Sequence, residues 1–489
     1  MPESSWPEND SYNELESISS LLADLSHLPE ADEAIAQSHS GGGRRRKAAV
    51  ALVIIWSSTI ALHLFTWGSW FVLGLTTLMG IHAVRILLAR PSAVPDLLTD
   101  QEPGDMPYVS VLVAAKNEEA VISRLVEMLC QMDYPCDRYE LWVIDDNSTD
   151  QTPTLLAQLQ QQYEQLRVFR RSADAGGGKS GALNQVLPLA KGDIVAVFDA
   201  DAQVQPDLLR RVLPLFDRKD MGAVQVRKAI ANGSDNFWTR GQVTEMALDA
   251  YFQQQRIAIG GIGELRGNGQ FVRRSALTQC GGWNEETITD DLDLTFRLHL
   301  NDWNVDSMTV PAVEEEGVTT AIALWHQRSR WAEGGYQRYL DYWQLILRNR
   351  MGTRKTLDLL SFWVIQYFLP TAFVPDALMA ISRNRPLLLS PLTSLMLTLS
   401  LTGTVLGLRQ IRRAQRGLQS KSAEDNSSRQ ASESPFTLMR ALFHALLGTI
   451  YMLHWIPVIN STTARMAVRP KRLKWVKTVH QGRHTPGEG

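Results

Sequence analysis

The nine residues Asp193-Ile194-Val195-Ala196-Val197-Phe198-Asp199-Ala200-Asp201 carry the strongest chemical signal in this chain. The apolar run Ile194–Phe198, rich in β-branched types, reads as a buried strand of a parallel sheet. It ends in two carboxylates separated by one small residue. Ligands of open α/β sheets bind beyond the carboxyl ends of strands, so Asp199 and Asp201 are expected at the mouth of a site. Two close carboxylates repel each other unless a cation or proton lies between them. A hard divalent ion, Mg²⁺ or Mn²⁺, bridging to the phosphates of a nucleotide would satisfy both. The plain alternative is an acidic loop after a strand.

Other stretches have the same character. Lys116-Asn117-Glu118-Glu119 follows one strand-like run, and Asp145-Asp146-Asn147-Ser148-Thr149-Asp150 follows the next. Acids at adjacent strand tips can accept from a uracil N–H and from ribose hydroxyls. The second run equally suits the N-terminus of the helix after it. Gly176-Gly177-Gly178-Lys179-Ser180-Gly181 is not a P-loop, because that pattern needs glycine where Ala173 stands. Its lysine and helix N-terminus can still approach a diphosphate. Gly267-Asn268-Gly269-Gln270-Phe271 has the look of a loop that meets a sugar. Thr289-Asp290-Asp291 opens a helix, where acids either complement the helix dipole or supply a general base. Gln327-Arg328-Ser329-Arg330-Trp331 adds cations and an indole.

The elements that must hold these groups alternate. Strands are expected at Val109–Ala115, Leu141–Ile144, Leu166–Phe169 and Ile194–Phe198. Helices are expected at Glu118–Met132, Thr152–Gln165 and Ser180–Leu189. This spacing means a parallel sheet with right-handed crossovers. Ala48 to Val84 contains no Asp, Glu, Lys or Arg. A spanning helix needs about 20 apolar residues, so the run fits two spans with a turn at Thr66–Trp70. Arg44 to Lys47 before it, with Arg85 and Arg90 after it, put both flanks in the cytoplasm. Three further candidate spans are Leu357–Ile381, Leu387–Leu408 and Phe436–Ile459. Three crossings would strand the basic tail outside, so one of them, such as the Pro370/Pro375 segment, is expected to stop short.

Composition removes several classes. A net charge of −3 gives no argument for nucleic acid, and the charge is segregated: residues 1–40 hold nine acids and no Lys or Arg. Leu15 to Leu28 in that tail has the pattern of a short amphipathic helix. No signal peptide is apparent. Cys130, Cys136 and Cys280 lack metal-ligand spacing and imply free thiols in a reducing compartment.

Taken in order, N-E, D-D, G-K-x-G, D-x-D, a D-D variant of T-E-D and Q-R-x-R-W resemble the membrane-embedded inverting family 2 glycosyltransferases. The resemblance covers residues 107–335 in detail. The flanks Ser5-Trp6-Pro7 and Arg469–Thr478 are similar to those of one group within the family, the cyanobacterial β-monoglucosyldiacylglycerol synthases. The resemblance implies an α/β GT-A domain, Rossmann-like with a mostly parallel sheet, plus α-helical transmembrane segments. It implies that Glu118, Asp145 and Asp146 hold uridine, Lys179 faces the diphosphate, and Asp199 and Asp201 hold the nucleotide and Mg²⁺ or Mn²⁺. Asp291 would be the base, and Gln327, Arg330 and Trp331 would line the acceptor and diphosphate side. Asp290 stands where the family usually has glutamate.

The implied substrates are UDP-glucose and diacylglycerol, met at the bilayer. The same motifs serve processive synthases of cellulose, curdlan and hyaluronan. A scaffold with a dead transferase domain is disfavoured by the intact acids and Arg330. The expected plan is an acidic tail at 1–46, two membrane helices at 47–90, a linker at 91–106 and the GT-A domain at 107–335. An interfacial helix follows at 336–355, then two or three spans at 356–460 with a polar loop near 409–435, and a basic tail at 461–489. The catalytic domain of this multi-pass protein would face the cytoplasm.

Overall fold

A computed structural model describes residues 43–93, 95–98, 106–422 and 435–469. The Ser5-Trp6-Pro7 and Leu15–Leu28 stretches, and the basic tail from 470 onward, lie outside the described residues. Two helices come first, α1 (Arg44–Leu64) and α2 (Gly68–Leu87). Their outer faces expose Val53, Trp70 and Leu78 at 64, 75 and 67%. That pattern suits a lipid solvent rather than water.

The αβ layer begins with β1 (Val109–Ala115), α3 (Ile122–Cys130), β2 (Tyr139–Asp145), α4 (Thr152–Gln162), β3 (Leu166–Arg170), α5 (Gly178–Val186) and β4 (Ile194–Phe198). These four strands are mutually parallel. Alternation along β1 sends Val111 and Val113 into one core with Leu125, Leu129 and Leu156. Leu112 enters the opposite core with Leu183, Val195 and Val197. Each such side chain contributes about 1.5–3 kcal/mol on burial, so both faces of the strands hold their register. The expected β1 and β4 bounds agree with the structure, and the helices are a few residues shorter than expected.

The sheet continues through β5 (Met221–Ile230), α6 (Phe237–Ala258), β6 (Gln270–Arg273), α7 (Asp290–Leu300) and β7 (Asn304–Glu315). Its order is β3-β2-β1-β4-β6-β5-β7, with β6 antiparallel to both neighbours. That reversal brings the loop before β6 to the same sheet edge as the end of β4.

Next comes α8 (Ala321–Leu347), one unbroken helix. The expected interfacial helix at 336–355 is therefore corrected: its first part is the second half of α8, and its aromatics are buried. Tyr336, Tyr339 and Tyr342 pack into a core with Phe296, and Arg338 lies 2.8 Å from Glu264. Tyr342 donates to Asp293. The catalytic layer and the following helices, through Leu359 and Tyr367, supply the partners for these residues rather than lipid headgroups.

The remaining helices are α9 (Thr353–Trp363), α10 (Leu369–Ser382), α11 (Ser390–Ser422), α12 (Pro435–Met452) and α13 (Trp455–Val468). A π-turn at Val364–Phe368 joins α9 to α10. The expected polar loop near 409–435 starts later than expected, because α11 runs on to Ser422. Gly403 and Gly407 let α11 close on α6: a Cβ at 407 would lie 2.6 Å from the Ala247 carbonyl oxygen. This small-xxx-small spacing serves close helix approach. Among the described residues, five stretches are long and apolar enough to cross a membrane: Arg44–Leu64, Gly68–Leu87, Thr353–Ser382, Ser390–Gly417 and Leu442–Val468. The chain is thus membrane-associated.

Polar ties mark the two ends of this bundle. At one end Arg44 forks onto Asp341 and donates to the Glu286 carbonyl. Asp358 on α9 accepts from Arg256 on α6. At the other end of α1, His63 meets Asp376 at 2.7 Å, and Asp376 also caps the chain at Leu388 and Leu389. The Pro370/Pro375 segment thus links the catalytic layer to the far end of α1. The third C-terminal candidate instead breaks at 453–454. Its Tyr451 and Trp455 donate to Glu245 on α6, and Arg465 donates to Glu333 on α8.

Candidate active site

A single cavity of about 2230 Å³ begins at the carboxyl ends of β1, β2 and β4 and continues between the membrane helices. Glu118, Asp146, Lys179, Asp199, Asp201, Asp291, Gln327, Arg330 and Trp331 all line it. The remaining candidate, Asp145, does not. It is 1% exposed, and its carboxylate accepts from the Ser148 backbone N–H, pinning the turn that presents Asp146.

At the mouth, Asp146 accepts from Arg171 at 2.5 Å and from Lys116 at 3.3 Å. The same Arg171 donates to the carbonyls of Gly176 and Gly178. One buried guanidinium therefore ties the D-D tip to the glycine loop. Glu118 is held by its backbone, whose N–H donates to Thr152. Lys179, on the first turn of α5, donates to Asp199 at 2.5 Å. Burial opposes its charge, but Asp199, Asp290 and Asp291 outweigh that and hold the ammonium above its ordinary range.

Asp201 accepts from the Glu316 backbone N–H. The Gly267–Gly269 loop lies beside the paired acids: Gly269 N–H donates to the Val197 carbonyl, and Asn268 accepts from Asp199 N–H. A Cβ on Gly267, at φ +83°, would sit 3.5 Å from an Asp291 carboxylate oxygen. The loop is thus threaded between D-x-D and the candidate base.

Asp290 and Asp291 open α7, whereas Asp293 is structural, accepting from Arg297 and Tyr342. Burial, then the adjoining Asp290, pushes the Asp291 carboxyl up to about 6, against the Leu292 N–H, Lys179 and Lys228. A carboxylate poised there can take a proton near neutral pH. Burial also raises Asp290, with Asp199 adding to it and Lys179 opposing. Burial lowers Arg330, while Asp199 and Asp291 oppose the shift. It remains a cation beside Asp199 and Asp291.

Among the described residues no cluster of three or more His, Cys, Asp or Glu could hold a metal by itself. Asp199 and Asp201 offer two hard oxygen ligands from one strand end. That set fits Mg²⁺ or Mn²⁺ held jointly with nucleotide phosphates rather than in a protein cage.

The family described as glycosyltransferase like family 2 matches residues 107–334. The β-monoglucosyldiacylglycerol synthase of Nostoc sp. is 60% identical over 485 residues, covering 99% of each chain. This chain belongs to glycosyltransferase family 2. The protein of the same name from Synechocystis sp. is 56% identical over 98% of this chain and 97% of its own. Among solved structures, mannosyltransferase PcManGT from Pyrobaculum calidifontis, in complex with GDP-Man and Mn²⁺, is 20% identical with a TM-score of 0.48. That match covers 81% of this chain and 99% of the other. The mixed sheet with its strand-tip acids agrees with the GT-A fold expected of this family.

Sequence reasoning missed the supports of this glycosyltransferase's site. Asn268 reaches Glu315, Glu315 accepts from Lys228, and Lys228 lies 4.9 Å over the Trp331 ring. Arg328 also stacks on that ring at 4.0 Å and pairs with Glu245 at 2.5 Å. Gln327 accepts from Arg328. The signal for Lys228 was a basic residue near the end of a strand. Glu245, on a helix with no strong apolar stripe, offered none.

Proposed function

We propose that this glycosyltransferase moves glucose from UDP-glucose to the free hydroxyl of 1,2-diacylglycerol with inversion, giving a 3-β-glucosyl lipid. The observation that carries the reading is the single cavity that joins Asp291 and Arg330 to an apolar arm between membrane helices. The names of the full-length relatives support the same substrates. Asp146 and Glu118 would hold the uridine, with Asp145 fixing their turn.

Asp291 takes the proton of the lipid hydroxyl. That oxygen bonds to the anomeric carbon from the face opposite the diphosphate, whose bond to carbon breaks. The electron pair leaves on UDP, and Lys179 and Arg330 face the charge that develops there. Mg²⁺ or Mn²⁺, held by Asp199 and Asp201, would neutralise the diphosphate when bound.

The basic flanks of α1 and α2 support a catalytic domain at the cytoplasmic face. Residues 442–468, tied to Glu245 and Glu333, would stay on that face, which leaves two C-terminal crossings. The test incubates the enzyme with labelled UDP-sugars. A chloroform-soluble monoglucosyl lipid is expected. Chains of many sugars made without lipid would instead assign a processive synthase.

A further inference from the structure

Lys228 lies near the end of β5, where the strand pairing is irregular. Val226 pairs with Met308 on β7, but Lys228 pairs with Val313, so the register shifts between them. Such irregularities re-aim side chains and are common beside active sites. Lys228 lines the catalytic cavity together with Glu315, Asp291 and Trp331. Its Nζ donates to Glu315 at 3.0 Å and lies 4.9 Å from the centre of the Trp331 ring.

The Lys228–Glu315 pair is largely buried, with side chains 10 and 12% exposed. A buried ion pair is a poor source of stability, because desolvation offsets most of its attraction. What this pair supplies is connection. Glu315 also accepts from Asn268, in the loop threaded between the paired acids and Asp291. The next residue, Glu316, gives its backbone N–H to Asp201. Lys228 therefore joins the segment that holds the D-x-D acids to the indole of Trp331. Arg328 stacks on the same ring at 4.0 Å, but its carboxylate partner is Glu245 on α6. One cation ties Trp331 to the nucleotide half, and the other ties it to the helices.

We propose that Lys228 is a positioning residue for the acceptor. Fixed by Glu315, its ammonium holds the Trp331 indole in register with the paired acids, so that a lipid hydroxyl resting against the indole meets Asp291 and the anomeric carbon together. The inference rests on the diacylglycerol reading above and adds to it the group that sets the distance between the two substrates. An ammonium over an aromatic ring fixes the ring without consuming its N–H. Register matters here, because a misplacement of about 1 Å is enough to cost roughly 10²-fold in rate.

The test uses full-length enzyme in lipid nanodiscs containing dioleoylglycerol, with labelled UDP-glucose, and follows two products of one reaction, glucosyl lipid and free glucose. Free glucose forms when water replaces the lipid hydroxyl: the water oxygen bonds to the anomeric carbon, its proton passes to Asp291, and the electron pair of the broken bond leaves on UDP. Water needs no platform. Lys228→Met should therefore lower kcat/KM for dioleoylglycerol, and the ratio of lipid product to glucose, by about 3- to 30-fold, the range of one cation–π contact. The KM for UDP-glucose should hold. Lys228→Arg, which keeps a cation over the ring, should restore the ratio. Lys228→Gln, which can still donate to Glu315 but carries no charge, should not.

Both products come from one preparation, so a partly folded sample gives the same ratio. If Lys228→Met does not fold, Lys228→Gln is read in its place. Equal losses of lipid product and glucose would assign Lys228 to the base or to the general framework and overturn the proposal. A wild-type ratio in Lys228→Gln, or an Arg variant no better than the Met variant, would overturn it as well. A wild type that glucosylates no diacylglycerol sinks the diacylglycerol reading itself.

Discussion

The two halves of the catalytic cavity are held by contacts of different reach. On the nucleotide side, Lys179 and Asp199 are 20 residues apart, and Asp146 and Arg171 are 25 apart. On the acceptor side, Arg328 and Glu245 are separated by 83 residues, and Glu245 and Tyr451 by 206. Closing a longer loop costs little extra, since the entropy grows only with the logarithm of length. The difference lies in what must already exist. The nucleotide half needs only the parallel sheet. The acceptor half needs α6, α8 and the α12–α13 turn docked together. The first is a property of the fold, and the second is a property of the assembled membrane protein.

The largest effects should fall on the nucleotide half. Asp201→Ala, or chelation by EDTA, should abolish transfer, with Mg²⁺ or Mn²⁺ restoring the chelated wild type. Full turnover in EDTA would remove the metal from this half. Next, Asp291→Asn should lower kcat by about 10²–10⁴-fold while calorimetry still detects UDP-glucose binding. A greater loss in Asp290→Asn than in Asp291→Asn would move the base by one residue.

Breaking the acceptor half should look different. Glu245→Gln leaves the wholly buried Arg328 without its countercharge, a loss of about 3–5 kcal/mol for a buried pair. Thermal unfolding should come earlier and lipid use should fall, whereas UDP-glucose affinity holds. If that affinity falls in parallel, the two halves are not separable.

The smallest effect joins the halves at Asp291. The base works only when deprotonated, so kcat/KM should decline as pH drops through about 6, where the free-enzyme carboxyl takes up its proton. Asp290 helps raise that value, so Asp290→Asn should move the acid limb to lower pH. A pH–rate profile that does not move would show that Asp290 exerts no field on its neighbour.

This split also governs what could be read in the sequence. Strand runs such as Val109–Ala115 and Ile194–Phe198, buried on both faces, announce themselves by composition alone, and D-x-D sits at a strand tip by construction. The helix Phe237–Ala258 escaped because Gln253, Gln255 and Arg256 look like a solvated face. They are buried, since both the sheet and the membrane helices pack against that helix. Tyr336, Arg338, Tyr339 and Tyr342 misled for the converse reason. Aromatics and arginines at helical spacing look the same whether they meet headgroups or buried acids. For Arg338 the deciding partner, Glu264, is far away in the chain.

The fork between Arg44 and Asp341 spans 297 positions. At ~5–20 residues per second of translation, Arg44 leaves the ribosome roughly 15–60 s before its carboxylate exists. Throughout that interval the guanidinium must stay hydrated at the bilayer surface, which keeps the first hairpin at its proper height while the transferase is still being made. The ion pair is therefore a late stitch of biogenesis, made before His63 can meet Asp376, and a chain truncated before Asp341 would insert its first two helices without this tie to the enzyme.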